Sequence, residues 1–325
     1  MTLNLEKQKT RCGFVGIFGK PNAGKSTLLN ALLGEDLSIV TSKEQTTWHR
    51  IPGIVTLDKA QIIFVDTPGI HDRKDEINRR MLAAAEGNVG ETDLNLLLVD
   101  GSTKDPMQDH LDFFEWASRL PGKKLIVLTK TDRLREKERL NSILIELSAA
   151  IESEGVFPVS ALKKEGLVEL SHNVIKHLPK GPFLYPSDEL SDLPTRFFVQ
   201  ELIRKELFQL FDEEIPYQSA VKIELYNDKK DLVEIHADVW VERNSQKQII
   251  VGTNGAQIKE LGTRSRIAIE KLLGKRVFLK LFVKVIPSWT KNHYRLKDLG
   301  LQKPSHYKRF HHEPKPSTIA RSESP

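Results

Sequence analysis

Short apolar runs recur through the first 180 residues, and each ends in a polar or glycine-containing turn that leads towards a helix-like stretch. Cys12–Phe18, Ile62–Val65, Leu125–Leu128 and the run closed by Val159 lack strict alternation, which predicts strands buried on both faces. Runs of this kind alternating with helical segments such as Lys25–Leu33 predict an α/β domain, a mostly parallel, doubly wound sheet with helices on both faces. Residues 179–194 break the pattern with Pro179, Pro182, Pro186 and Pro194, which marks a linker. Beyond it the periodicity changes. Thr195–Phe211 carries a roughly helical apolar stripe, with Thr195 as its expected N-cap. Ala220–Tyr226 and Leu232–Val241 alternate, and in the second Val233, Ile235, Ala237, Val239 and Val241 share a face. A short strand is expected at Gln248–Val251, a helix at Ala256–Leu273 and a last strand at Arg276–Ile286. The chain therefore divides into an N-terminal extension 1–10, an α/β domain 11–180, a linker 181–194, an α+β domain 195–290 and a basic helix and tail 291–325, with the tail's end expected to lack structure.

Chemistry concentrates at the ends of the apolar runs. Gly19-Lys20-Pro21-Asn22-Ala23-Gly24-Lys25-Ser26-Thr27 fits a P-loop, Gly-x-x-x-x-Gly-Lys-Ser/Thr between a strand and a helix. Its backbone N–H groups would cradle phosphates, Lys25 would supply charge to the outer phosphates, and the Ser26 hydroxyl would reach Mg²⁺. Asp66-Thr67-Pro68-Gly69 closes the second run. Asp66 would order the water shell of Mg²⁺, and the Gly69 N–H would sense a γ-phosphate. Thr129-Lys130-Thr131-Asp132 closes the next run. Asp132 could accept from guanine N1–H and N2–H₂, a donor pair that adenine lacks, while Lys130 lays its stem along the base. Ser160-Ala161 could offer a backbone N–H to guanine O6.

Taken in order, these segments resemble the translation-factor class of P-loop GTPases, which implies GTP and GDP as ligands and Mg²⁺ as cofactor. The guanine motif of that class usually begins with Asn, so Thr129 is expected to brace the P-loop less well. Asn22 matches the asparagine of GTPases that use K⁺ in place of an arginine finger, although an asparagine also suits a plain turn. Switch I falls at residues 36–50. Thr47 is favoured over Thr46 as the residue that covers Mg²⁺, because it matches the second Thr of a Thr-Thr-Arg pattern that here continues with Trp48. Ile70 stands where Ras-like enzymes orient the attacking water with Gln, so slow intrinsic hydrolysis is expected.

Charge separates the two halves. Residues 243–325 carry 18 Lys and Arg against 5 Asp and Glu, a net +13, which leaves −8 on residues 1–242 of a chain at +5. A basic C-terminal part fits an anionic partner, either RNA or acidic lipid. A lone cysteine, Cys12, excludes an internal disulfide and suits a reducing compartment. No apolar run reaches the length of a membrane span, and no leader precedes the first strand, so a cytoplasmic location is expected.

The segment Ile250-Val251-Gly252-Thr253-Asn254-Gly255-Ala256-Gln257-Ile258-Lys259, within its helix and strand order, resembles a type II KH domain. KH folds clamp single-stranded nucleotides against the Gly-x-x-Gly loop. Gly252, Thr253, Asn254 and Gly255 would meet RNA backbone, and Lys259, Arg264 and Arg266 would add charge, although the loop's inner pair is usually more basic. A P-loop GTPase domain followed by a type II KH domain resembles the Era family of ribosome-assembly GTPases over roughly residues 11–301. Thr41-Ser42-Lys43, Gln45-Thr46-Thr47, Ile77-Asn78-Arg79-Arg80-Met81, Pro216-Tyr217, Trp289 and Leu296–Gly300 agree with it. The resemblance implies a monomeric GTPase that binds the 3′ end of 16S ribosomal RNA and the immature 30S subunit as a timed assembly factor, with peripheral membrane association as a family trait. Two rivals remain at this level: a membrane-associated signalling switch, and an ATPase or general RNA chaperone with a weakened base-reading motif.

Overall fold

The computed structural model describes residues 10–35, 40, 51–66, 92–134, 136–301 and 318–320. Strands β1 (Arg11–Gly19), β2 (Ile51–Leu57), β3 (Ala60–Asp66), β4 (Leu94–Asp100), β5 (Lys123–Thr129) and β6 (Val156–Pro158) form one sheet in the order β2-β3-β1-β4-β5-β6. All neighbours are parallel except β2, which returns antiparallel to β3. Helices α1 (Lys25–Leu33), α2 (Pro106–Asp109), α3 (Leu111–Ser118), α4 (Lys137–Ala150) and α5 (Leu167–His177) cover it. The unalternating strands now have their reason. Leu94, Leu96 and Leu98 of β4 face α1 and α5, while Leu97 and Val99 face α3 and α4.

Neither helix group covers the β2–β3–β1 corner of the second face. There the segment expected as a linker takes over. Tyr185 is buried on Cys12, Ile54 and Ile63, and β7 (Glu189–Pro194) packs along β2. Gln61, at 0% exposure, is the anchor. Its amide donates to Tyr185 O and Thr56 Oγ1, and its carbonyl accepts from the N–H groups of Leu184 and Tyr185. Ser191 Oγ donates to Pro52 O at 2.6 Å. Residues 183–194 are therefore a strap fastened to the sheet.

The second domain runs α6 (Thr195–Leu210), β8 (Ser219–Asp228), β9 (Leu232–Val241), α7 (Asn244–Val251), α8 (Ala256–Leu273), β10 (Arg276–Val285) and α9 (His293–Asp298). Its sheet has the order β10-β9-β8, with β9 antiparallel to β8 and parallel to β10. The alternating face of β9 packs on α6, α7 and α8. On the other face Trp240 meets Trp289, Leu296 and Leu299, so the α9 region caps one end of the sheet.

Three expectations are corrected. Gln248–Val251 is the last turn of α7 and not a strand; Ile250 is buried while Ile249 is half exposed, a difference between neighbours that a short Ile-Ile-Val run does not reveal. Thr195 is the first residue of α6, whose N-cap is Pro194, and no side chain caps that end. The tail contributes β11 (Thr318–Ala320), antiparallel to β7 on the strap.

Candidate nucleotide site and nucleic-acid interface

The P-loop leaves β1 at Gly19 and enters α1 at Lys25. Asn22 (φ 61°) and Gly24 (φ 90°) both take left-handed backbone conformations within this short turn. Such conformations among right-handed ones turn successive N–H groups to one side and make an anion-binding concavity. Gly24 tolerates this without strain, and asparagine tolerates it better than other side chains. Lys25 is 8% exposed, and its ammonium donates to the carbonyls of Gly19 and Lys20 at 3.0 and 2.9 Å. Ser26 and Thr27 lie in the first turn of α1. An oxygen donor beside the lysine fits a hard Mg²⁺ ion, which keeps several waters.

The guanine-motif loop is tied to the P-loop by the residue from which least was expected. Thr129 is buried, and its Oγ1 lies 2.8 Å from Ala23 O and 3.0 Å from Val99 O, so one hydroxyl proton serves the P-loop and β4. An asparagine would offer two N–H donors for the same two carbonyls. Threonine thus performs the bracing that the sequence comparison cast in doubt. Lys130 adopts a left-handed backbone (φ 56°) and places its Nζ 2.5 Å from Asp100 Oδ2. Asp132 Oδ1 accepts from Ser160 Oγ at 2.7 Å, and Ser160 is fully buried, so the Asp132 carboxylate is tethered to the Ser160 loop. Ala161 follows directly, and Thr131 N–H donates to Val159 O across the same pair of loops.

In the second domain, the Gly-x-x-Gly turn sits between α7 and α8 as a 3-10 turn, Thr253–Gly255. Gly252 (φ 71°), Asn254 (φ 52°) and Gly255 (φ 76°) take positive φ, and Thr253 and Asn254 are exposed. A Cβ on Gly252 would lie 2.6 Å from Gln257 Cγ and 3.0 Å from its backbone N, so glycine is required there. The turn leads straight into the N-terminus of the 18-residue α8, whose end favours phosphate.

This chain is similar to known proteins in both parts. A family model described as a 50S ribosome-binding GTPase matches residues 14–130, and a KH domain model matches residues 214–290. GTPase Era of Nitratidesulfovibrio vulgaris is 40% identical over 304 residues, 91% of this chain and 99% of that protein. The chain belongs to the Era family of GTPases. GTPase Era of Stenotrophomonas maltophilia is likewise 40% identical over 299 residues, 91% of this chain and 99% of its own. Among solved structures, a Tyr-to-Ala variant of Aquifex aeolicus Era bound to GDP and AlF₄⁻ superimposes with a TM-score of 0.84 at 34% identity, covering 90% of this chain and 100% of that one. An Era in complex with MgGDPNP and nucleotides 1506–1542 of 16S ribosomal RNA gives 0.83 at 34%, covering 90% and 99%.

The expected site residues of this Era-family chain fall into three groups. Gly19, Asn22, Ala23, Gly24, Lys25, Ser26, Thr27, Thr129, Lys130, Asp132, Ser160 and Ala161 come together at the carboxyl ends of β1, β5 and β6, where open α/β sheets bind ligands. Asp66 closes β3 beside them, whereas Thr47 and Gly69 lie outside the described residues. Lys259 is exposed within the first turn of α8. Arg264 and Arg266 are on the same helix but roughly 7.5–10.5 Å beyond Lys259 along its axis, paired with Glu260 and Glu270. They do not join the Gly-x-x-Gly turn. Sequence reasoning missed Asp100 and Gln61. Asp100 had a signal, since it ends an apolar run as Asp66 does. Gln61 had none.

Proposed function

We propose that this Era-family GTPase is a GTP-timed RNA binder of small-subunit assembly, which takes the 3′ end of 16S ribosomal RNA on the immature 30S subunit and acts as a monomer in the cytoplasm. The observation that carries this reading is the strap. It joins the two domains and is fastened by Gln61 and Ser191 to the β2–β3 hairpin. Switch I leads into β2, and β3 leads into Asp66 and Gly69, so both nucleotide-sensing segments connect to the strand pair that the strap grips. The related Era structure with MgGDPNP and 16S nucleotides supports the RNA assignment, as do the Gly-x-x-Gly turn and the basic C-terminal part.

In hydrolysis, the P-loop N–H groups and Lys25 hold and neutralise the phosphates, and Lys130 and Asp132 orient the base. Ser26, with Thr47 and Asp66, would hold Mg²⁺, which when bound offsets charge between the β- and γ-phosphates. Asn22 is the residue for a K⁺ that would speed a reaction otherwise slowed by Ile70. No side chain in the set acts as an obvious general base, consistent with catalysis by positioning and charge.

The deciding experiment loads the protein with GDPNP or GDP and titrates a labelled 16S 3′-end fragment against a scrambled RNA at fixed salt. Tighter, sequence-dependent binding in the GDPNP state is expected. Equal binding of both RNAs in both states would overturn the proposal. Single-turnover hydrolysis in K⁺ and Na⁺ tests Asn22, and cation-indifferent rates would remove K⁺ from the reading.

A further inference from the structure

Lys130 is a flexible side chain with a precise task. A lysine stem carries about 2 kcal/mol of rotamer entropy, and to lie along a base it must be held. The structure shows what holds it. Asp100, the last residue of β4, places Oδ2 2.5 Å from Lys130 Nζ. The two side chains are only 13% and 25% exposed, so solvent screens this pair far less than a surface ion pair. The other carboxylate oxygen accepts from Ser102 N–H at 2.9 Å and Ser102 Oγ at 2.6 Å. Asp100 therefore has little freedom to follow a wandering ammonium.

The backbone of Asp100 is fixed in turn. Its N–H donates to His110 Nε2 at 3.3 Å, and His110 Nδ1 lies 2.8 Å from Pro106 O. A carbonyl only accepts, so Nδ1 carries the proton and Nε2 offers its lone pair: the two partners define the tautomer. His110 is 3% exposed, at the corner between α2 and α3. The sequence builds that corner locally, with the Asp105 side chain capping α2 through Gln108 N–H and Pro106 at its first position. The same corner reaches the phosphate side of the site, because Lys20 of the P-loop donates to Asp109 O at 2.7 Å. Gly101 N–H donates to Thr129 O, closing a second tie between β4 and the guanine loop.

We propose that Asp100 and His110 are positioning residues of the guanine subsite, Asp100 by anchoring the Lys130 ammonium and His110 by fixing Asp100. This rests on the reading of Lys130 as a base-contacting residue. The α2–α3 corner then serves as a brace that sets the phosphate loop and the base loop at a fixed separation.

A double-mutant cycle on the full-length protein tests this, with the affinity for a fluorescent GDP as readout and the melting temperature of each nucleotide-free variant as the control for folding. D100N removes the charge and keeps the shape. It is expected to weaken GDP binding about tenfold, the size of a lost charge-assisted hydrogen bond. K130M is expected to weaken it at least as much. In the K130M background D100N should then have no further effect. A D100N loss of the same size in both backgrounds would mean that Asp100 acts elsewhere and would overturn the proposal. GDP affinity unchanged in K130M would instead overturn the reading of Lys130 and the proposal with it. For His110, H110Q can still accept from the Asp100 N–H and should retain most of the affinity lost in H110L. Equal affinity in H110Q and H110L would remove His110 from the arrangement.

Discussion

Replacing Gln61 with methionine tests whether the strap is held by one buried amide. Methionine has nearly the same length and volume, so packing is kept while the hydrogen bonds are lost. The N–H and C=O of Tyr185 both sit in buried bonds to Gln61. Each orphaned backbone group costs about 1–3 kcal/mol, so a strap that stays down is destabilised by about 2–6 kcal/mol. The alternative is to lift. That exposes the Tyr185 ring, now 7% exposed, and an aromatic that buries about 150–250 Å² loses about 4–6 kcal/mol at 25 cal/mol per Å², an upper figure because the unfolded chain is itself compact. The two costs are of similar size, so the lower end governs: about 2 kcal/mol, or about thirtyfold in the local opening equilibrium. Amide hydrogen exchange at Leu184 and Tyr185 reads it directly. Gln61→Met should speed exchange there about thirtyfold while the α3 and α4 amides change little. The same variant should bring the ratio of RNA affinities in the GDPNP and GDP states towards one. Unchanged protection at residues 184–185 would refute the anchoring argument, and released protection with unchanged RNA affinities would refute the coupling argument.

Thr129→Val removes the hydroxyl shared by Ala23 O and Val99 O and should lower stability by about 1–3 kcal/mol and weaken GDP binding; thermal melting and nucleotide titration check it, and an unaltered GDP affinity would contradict the bracing role. Asp132→Asn should shift preference from GTP towards XTP, and competition binding with no such shift would show that Asp132 does not read the base. Gly252→Ala meets Gln257 at a positive φ and should cost about 1–3 kcal/mol of local strain, reducing RNA binding in a gel shift while GTP hydrolysis continues; intact RNA binding would mean that the turn is not the contact. Acidification should act twice on stability. Burial chiefly lowers the His110 pKa below its ordinary value, so the unfolded chain takes up that proton first, and stability falls as pH drops below about 6.5. Burial pushes the Asp100 carboxyl up, but the bonds from Lys130 and Ser102 outweigh it and hold the group below its ordinary value. Its contribution is present above about pH 3.9 and is lost as pH falls further. Denaturation of H110Q as a function of pH should lack the first step, and a retained step would assign it to another group.

How far the sequence spoke depends on the range of the interactions involved. Helices α1 and α8 could be bounded to the residue because glycines flank both and local geometry decides their ends. The nucleotide loops were readable because phosphate and base chemistry require particular residue types at fixed spacing. The α7 segment was misread because Gln248–Val251 is too short for periodicity to separate a strand from a buried helical turn. The strap was read as a polar linker because its prolines and charges are local, whereas what fastens it is not. Gln61 and Tyr185 are 124 positions apart, and a glutamine within an apolar strand reads as a side chain pointing to water. Thr129 was undervalued for a related reason: its length suggested a weak brace, and only the distance between β5 and the P-loop shows that a short hydroxyl spans it.

The attachment of β1 also sets an order of events during synthesis. The first strand is secured at its start by the last residues of its own domain: Cys12 N–H donates to Pro179 O, Gly181 N–H to Thr10 O, and Thr10 Oγ1 to Gly181 O. The nucleotide-binding domain can close only when residue 194 has left the ribosome, because the strap covers the β2–β3–β1 corner of its sheet. The RNA-binding domain waits for β10, since β9 pairs with it in parallel across the whole α7–α8 crossover. At about 5–20 residues per second, the stretch between residues 194 and 285 takes on the order of 5–18 seconds. For that interval the first domain is complete and the second is not, so the nucleotide site is built before the Gly-x-x-Gly turn has the sheet that supports it.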